Sequence, residues 1–483
     1  MAISRRDLIK TAVIGAGGAM LVPAGFSDAL AASGKKKTGL VTDKRKPLEM
    51  QTDVLVVGGG PAGVAAASTA ARQGLKVILL EKYGFCGGAA VAGMSGTICG
   101  AYLASNDSKS KPEKLVYGFL DDFIKVMESK GGLTPPVRYG KTFVLVHDPA
   151  VWRDAADDLL QKSGVKILYH STVTDVLIEG KDRVAGVIAY TKQGKLSVRA
   201  KVTIDASGDA DVTAMSGFKT FMGMNGVVQN PTMFFRITNV NMKEFLAKLG
   251  EDTIVSEEVQ NLITNLNQSK KYFLPRSKIF LFPTPRPGEI LCNATRLIGR
   301  DGRELNPIYV EDITEAEIQG RIQVREYARF LKDYYAGCQN SYLVDTGVQV
   351  GVRQTRQIEG LGKLRDQDVE TGKKRKDGVV QSPWPIEIHK GDKPKLVWLI
   401  NDYYEIPYSA YVPEHGESLL VAGRCLSAEH AAMASARVTA QCFAAGHAVG
   451  YAAAVAVKEK VSPRSIKGEY IRDILIKDGA KFS

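Results

Sequence analysis

The chain has 483 residues, 45% of them hydrophobic and 24% charged, enough to bury an ordinary core and to form two domains. A formal charge of +12 is a mild attraction to anionic surfaces or substrates, yet no nucleic-acid module accompanies the basic tracts Lys35 to Lys37 and Lys373 to Lys376, which read as solvated linker and loop. Six cysteines, at 86, 99, 292, 338, 425 and 442, form neither a CxxC pair nor a CxxCH, which argues against iron-sulfur ligation and c-type haem.

The first predicted element is a leader. "SRRDLIK", Ser4 to Lys10, carries a twin arginine; a mildly apolar stretch from Thr11 to Phe26 follows and ends near the small-x-small pattern Ala29-Leu30-Ala31. This layout predicts a twin-arginine signal peptide over 1–31, recognition by the twin-arginine export machinery, and a periplasmic or otherwise exported destination. Residues 32–50 read as a linker. The glycine turn "VIGAGGAM", Val13 to Met20, is not a nucleotide fingerprint, because Met20 stands where the third glycine belongs and no strand ending in an acid follows. No later run reads as long and apolar enough to span a bilayer, so no transmembrane segment is expected in the mature chain.

The next element meets those conditions. "TDVLVVGGGPAG", Thr52 to Gly63, is an apolar strand entering a turn, followed by an alanine-rich helix and by "KVILLEK", a second strand ending at Glu81. Gly58 permits the tight turn, Gly60 lets the backbone approach a pyrophosphate, and Gly63 lets helix and strand pack closely. The helix start at Pro61 and Ala62 offers amide donors and a partial positive charge to phosphates. Glu81, eighteen residues beyond Gly63, is placed to accept hydrogen bonds from ribose hydroxyls.

Further along, "YGFCGGAAVAGMSG", Tyr83 to Gly96, is a second glycine-rich loop. "WRDAADDLLQKSG", Trp152 to Gly164, reads as an amphipathic helix. "VKILYHSTVTDVLIEG", "RVAGVIAYT" and "KLSVRAKVTIDAS" read as three strands of a meander returning to the main sheet. From 223 to 395 the pattern changes to mixed strands and longer polar helices such as Glu315 to Tyr334. The remainder, 396–483, returns to the first pattern, with a strand from Leu419 to Ala422 before Gly423 and a helix over roughly Ala436 to Val457.

Several ordered segments then carry a resemblance. With the fingerprint they are "CGGAAVAG", "IDASGDAD", "GVRQTRQIEG" (351–360), "PWPIEIH" (383–389), "YEIPYSAYVP" (404–413) and "VAGRCLSAEHAAMASARV" (421–438). The chain resembles the FAD-dependent oxidoreductases, whose fold is similar to the FAD domains of glutathione reductase and fumarate reductase-like enzymes. The resemblance implies an α/β fold: a Rossmann-like FAD-binding domain with a parallel sheet and β-meander, in two parts (51–222 and 396–483), with an inserted α+β substrate or cap domain (223–395). FAD is the implied cofactor. Its contacts are expected from Gly58, Gly60, Pro61, Ala62 and Gly63, from Glu81 and Lys82, and from Gly87, Gly88 and Ala89. Later contributions are expected from Gly208 and Asp209, from Gly423 and Arg424, and from Arg437 and Gly446. Arg424 departs from many relatives, where an acid at this point contacts the ribityl chain.

The mechanism this implies is hydride transfer between a small organic substrate and flavin N5. "GLGKLR", Gly360 to Arg365, is not a second dinucleotide fingerprint, so a quinone, a soluble electron carrier or oxygen is expected in place of nicotinamide. His430 is the first candidate proton acceptor, His389 the second and Tyr408 the third. Glu429 either orients His430 or faces water. Arg353 and Arg356 either clamp a substrate carboxylate or carbonyl or form salt bridges between the cap and the FAD domain. Cys86 reads as a small buried residue of a cofactor loop. Two other functional classes use the same motifs: a protein that only shuttles electrons, and a flavoenzyme of net non-redox elimination or isomerisation.

Overall fold

The computed structural model describes residues 48–388 and 395–482. The leader, most of the linker and His389 lie outside the described residues. Strand β1 (Leu48–Val57) begins earlier than the expected boundary at 51, because Leu48 and Met50 are in register with Leu196 and Val198 of a neighbouring strand. Its outer end alternates between half-buried and exposed residues from Leu48 to Gln51, while Val54 to Val57 are buried. Parallel neighbours on both edges leave that inner half no face toward water. After the glycine turn come helix α1 (Pro61–Arg72) and strand β2 (Val77–Leu80).

Helix α2 (Pro149–Lys162) is capped by Asp148, whose side chain accepts from the Ala150 amide at 2.8 Å. The single strand expected over 165–180 divides into β3 (Lys166–Leu168) and β4 (Thr172–Glu179). His170 has φ of +52° between them, and its amide donates to Tyr83 O while that of Ser171 donates to Glu81 O. The break is topological: β3 pairs with β2 in parallel, whereas β4 pairs with β5 (Arg183–Thr191) at the opposite end of the sheet. Strand β6 (Gly194–Asp205) follows.

The inserted segment builds its own antiparallel sheet from β7 (Phe235–Thr238), β8 (Phe280–Pro283), β9 (Ile290–Asn293) and β10 (Tyr342–Thr346), in the order β8-β9-β7-β10. Helix α3 (Val310–Tyr334), five residues longer at its start than expected, belongs to the same apolar core through Tyr327, Phe330 and Leu331, which join Phe235 and Ile237. From Ile358 onward, Leu364, Val369, Val379, Val380 and Ile386 pack instead into the main core, although they fall within the expected 223–395 segment.

The chain re-enters the main sheet as β11 (Leu419–Val421). A short helix α4 (His430–Ala436) and a long helix α5 (Thr439–Glu459) replace the single helix expected from about 436. Contrary to the sequence expectation, α5 is long and apolar enough to cross a membrane, but 83% of its apolar window is buried inside the fold. It lies on α1 at backbone distance: a Cβ on Gly446 would meet Ala62 O at 2.1 Å, and one on Gly450 would meet Ala66 O at 2.7 Å. Gly446 is therefore a helix-packing residue, which corrects its placement among cofactor contacts. Gly446→Val should destabilise the fold by about 1–3 kcal/mol or more through overpacking. Thermal denaturation would show this, and an unchanged Tm would mean that the helices do not approach so closely.

Candidate functional site

The carboxyl ends of four strands come to one level. Val57 is opposite Leu80 on one side and Asp205 on the other, and Asp205 is opposite Val421. The residues that follow each strand, Gly58, Glu81, Ala206 and Ala422, line one open cleft with about 1200 Å³ of empty space.

The fingerprint glycines have separate causes. Gly58 has φ of +101°, and a Cβ there would lie 2.4 Å from Ala206 O. A Cβ on Gly63 would lie 1.8 Å from Gly58 O, so Gly63 serves helix-to-turn packing and does not line the cleft. A Cβ on Gly60, by contrast, would meet only Gly88 Cα, at 3.8 Å. The space over Gly60 is left open by the protein itself, at the uncapped start of α1. Gly59 adds a constraint that the spacing argument missed: its Cβ would strike Cys86 Sγ at 2.5 Å.

Glu81 is buried, and desolvation raises its pKa above the usual carboxylate value. Its oxygens accept from the amides of Gly59 (2.7 Å) and Tyr83 (2.8 Å). A carboxylate has about four lone-pair sites, so it holds the turn and still presents acceptors to the cleft that it lines beside Lys82. Gly87 and Gly88 differ in role. Gly87 (φ +146°) is kept free of a side chain by Val91, 2.2 Å from its Cβ position, whereas Gly88 and Ala89 line the cleft. Cys86 is buried with its thiol pKa pushed up by desolvation, and it accepts from Tyr169 Oη at 3.6 Å. No other cysteine is bonded to it.

Opposite stand Gly208, Asp209, Gly423 and Arg424, all lining the cleft. Arg424 donates to Asp209 Oδ1 at 2.7 Å and to Gly208 O at 2.8 Å. The departure noted at Arg424 thus has a local answer: the acid bordering the cleft here is Asp209, delivered by the end of β6, and Arg424 is its counter-ion. Thr355 Oγ1 donates to the same oxygen at 2.5 Å.

Arg437 lines the cleft at the junction of α4 and α5. Burial lowers its pKa; its Nη2 donates to Gln229 Oε1 at 3.1 Å and its Nε has no partner. The first turn of α5 has no side-chain cap, and Val438 and Thr439 line the cleft beside Cys99 and Cys442. Two helix N-termini, α1 and α5, therefore present their partial positive charge to one cleft. An elongated dinucleotide with a diphosphate at its middle and, at one end, a ring that accumulates negative charge fits this donor set.

The candidates for chemistry separate. Arg353 lines the cleft. Arg356 does not: it donates to Asp209 O at 2.9 Å and pairs with Asp211, which favours the salt-bridge reading over the clamp. His430 opens α4 outside the cleft lining, with Nδ1 unpartnered and facing the Gly223 turn at 3.3 Å from a Cβ built there. Burial holds its pKa below the ordinary imidazole value. Glu429 accepts from the Asp366 amide at 2.8 Å and makes no bond to His430. Tyr408 is corrected outright: it is 3% exposed and donates to Pro463 O at 2.9 Å, away from the cleft. Thr232, Phe234 and Gln349, which sequence reasoning missed, line the cleft from the inserted segment, and Tyr83 Oη bonds to Gln349. They lie in no motif, and only the folded insertion brings them here.

A family model described as FAD dependent oxidoreductase matches residues 53–475. A urocanate reductase of Eggerthella lenta is 48% identical over 68 residues, 13% of this chain and 11% of the relative. A digeranylgeranylglycerophospholipid reductase of Picrophilus torridus is 29% identical over 213 residues, 41% of this chain and 49% of the relative. The matches thus span about half or less of these curated relatives. Among solved structures, a geranylgeranyl bacteriochlorophyll reductase-like protein from Thermoplasma acidophilum superposes with a TM-score of 0.47 at 15% identity, over 89% of this chain and 84% of its own.

Gly58→Val should abolish flavin retention, because the new side chain has neither a tolerated φ nor room before Ala206. Visible absorbance of the purified variant checks this. Glu81→Gln should weaken FAD binding by about 1–3 kcal/mol, since an amide cannot accept at every position that the carboxylate serves. A flavin titration that returned the wild-type Kd would remove Glu81 from the site.

Proposed function

Because the chain belongs to the FAD-dependent oxidoreductase family, we propose that it passes a hydride between a small organic substrate and flavin N5, with a quinone, a soluble electron carrier or oxygen as the electron partner. The observation that carries this reading is the pair of uncapped helix N-termini facing one cleft, walled on its far side by Thr232, Phe234, Gln349 and Arg353 of the inserted segment. Bound FAD would supply the hydride acceptor or donor. The α1 amides would hold its diphosphate, Glu81 its ribose hydroxyls, and Arg437 with the α5 N-terminus the negative charge that develops on its ring.

On the substrate side, Phe234 presents an apolar wall that excludes water, and Arg353 presents a fixed planar donor. No histidine among the described residues lines the cleft. His430 is the first proposed proton acceptor and His389 the second, each on its sequence position. The two relatives named above are reductases, which supports redox chemistry over elimination or isomerisation. The leader is read as a twin-arginine signal on Arg5, Arg6 and the small-x-small pattern, with export of the folded, flavin-loaded protein as its consequence.

Two measurements test this. Anaerobically, NADH and NADPH should leave the flavin oxidised, while a quinol or a reduced viologen should bleach it, and the photoreduced protein should be reoxidised by quinone or oxygen. Rapid bleaching by NADH would overturn the assignment of the electron partner. Once a turnover assay exists, His430→Gln, or failing that His389→Gln, should lower kcat by about 10²–10⁴-fold with the flavin spectrum unchanged, and an undiminished kcat in both would take the proton elsewhere.

A further inference from the structure

Helix α3 (Val310–Tyr334) has two unlike faces. Its inner face carries Ala316, Gly320, Val324, Tyr327 and Leu331, all buried. That side is pinned as well as packed: Glu317 accepts from the Val350 amide at 2.6 Å, and Gln323 bonds to both the amide and the carbonyl of Arg296, at 3.0 and 2.8 Å. At 3.6 residues per turn the opposite face carries Val310, Thr314, Ile318 and Ile322, spaced by four. Val310 is 75% exposed, Ile318 44% and Ile322 46%, and the Thr314 hydroxyl is spent on Val310 O at 2.6 Å. The apolar surface continues past the helix start through Tyr309, 54% exposed. Beyond it lies the turn 222–227, tied to Asn306 by a contact from Asn306 Nδ2 to Met222 Sδ at 3.3 Å, where Met224 and Val227 are exposed. One such residue on a surface is ordinary. A run of them along a fixed helix marks a contact surface.

The charges on that face select what covers it. Arg321, Arg325 and Arg329 follow at four-residue intervals, a spacing at which like charges repel. Arg321 pairs with Glu317 at 3.4 Å and Arg329 with Glu326 at 2.8 Å. Arg325, between them, is exposed and has no ion-pair partner among the described residues. Near the helix start Glu311 is exposed and equally unpaired among the described residues, while Glu315, one turn on, is spent on Arg303 at 3.4 Å and on the Arg300 amide at 2.7 Å. The helix dipole favours an acid in the first turn and a base in the last, but Arg325 stands mid-helix. Ile318 lies midway between Glu311 and Arg325, seven residues from each. A two-fold axis at Ile318 therefore sets Glu311 of one copy against Arg325 of the other, twice, with Thr314 against Ile322 and Ile318 against itself. A lipid surface would instead match basic side chains throughout such a face and would set Glu311 against anionic headgroups.

We infer that the outer face of α3 is a dimer interface between two copies of this chain, related by a two-fold axis at Ile318 with the two helices antiparallel. An isologous contact requires a patch complementary to itself. A row of apolar residues flanked by one unpaired acid and one unpaired base, equally far from its centre, is such a patch. None of these residues lines the cleft, so the dimer and the flavin reading stand or fall separately.

Sedimentation equilibrium of the FAD-loaded protein at micromolar concentration should give twice the chain mass. Residues at the centre of an interface carry much of its energy, so Ile318→Asp should raise the dissociation constant at least ten-fold, with the flavin spectrum unchanged because the side chain is exposed in the single chain. Glu311→Arg should also weaken the dimer, and adding Arg325→Glu should restore it, because the exchanged charges again meet across the axis. Ile318→Cys should cross-link to its own counterpart on mild oxidation. The interface is overturned if the protein stays monomeric, if the dimer survives Ile318→Asp, if the double exchange associates no better than Glu311→Arg alone, or if Ile318→Cys does not cross-link. It is also overturned if the protein is monomeric and binds phosphatidylserine vesicles through Ile318, the outcome of a membrane-facing helix.

Discussion

The site depends on the pairing of β6 (Gly194–Asp205). Along one edge it is held in parallel by β1 from Leu196 to Asp205. Along the other it is shared, with β5 antiparallel to its first half and β11 parallel to its last three residues. Segments more than 350 residues apart in the chain, 48–57 and 419–421, are thereby fixed in one register. A slip of one residue would turn every side chain to the opposite face and would carry Gly58, Ala206 and Ala422 out of line. Asp205, at the end of β6, is fully buried and accepts from Ser207 and Thr213, which folds the following turn so that Gly208 and Asp209 reach the cleft. Strand pairing sets the level of the cofactor edge, and a buried acid sets the direction in which the chain leaves it.

Against that edge the structure places backbone where other folds place side chains. Gly58 against Ala206, Gly63 against Gly58, Gly88 against Gly60 and Gly446 against Ala62 are approaches that a Cβ would obstruct. Only over Gly60, on the side facing the cleft, does the close packing relent. A nucleotide diphosphate is recognised mainly by backbone amides, so it needs main chain within reach and nothing in front of it. The same economy of side chains explains the alanine richness of α1 and α5: short residues let the two helices meet, and their contact fixes the positions of both N-termini.

Part of this was legible in the sequence because each piece follows a strand end. The turn glycines, Glu81, the 202–211 segment and the Gly423-Arg424 turn can be read from that order, although their partners, Ala206 for Gly58 and Asp209 for Arg424, are far away in the chain. What stayed hidden was set by long-range packing. Arg353 and Arg356 stand three apart, a spacing that would place them on one face of a helix, but the segment is not helical, and one reaches Asn230 while the other reaches Asp209 and Asp211. Tyr408 sits in a shared segment, yet its hydroxyl is claimed by Pro463, 55 residues on. The break at His170 could not be read from residue types, because β-forming apolar residues stand on both sides of it; it exists because the chain must cross to the other end of the sheet.

The inserted segment carries the same lesson into chemistry. Its residues at the cleft, Thr232, Phe234 and Gln349, come from loops and from the approach to β7, and no spacing ties them together. They are brought into place by the core of that segment, where Met233, Phe235 and Val350 are buried with Tyr327 of α3. Residues in such a position contact whatever is bound without supporting the sheet that binds the cofactor. The ends of the main-sheet strands line the cleft on the side of the fingerprint, while Thr232, Phe234, Gln349 and Arg353 line it from the inserted segment. Two chains sharing the first and differing in the second would have one fold, one cofactor and different substrates.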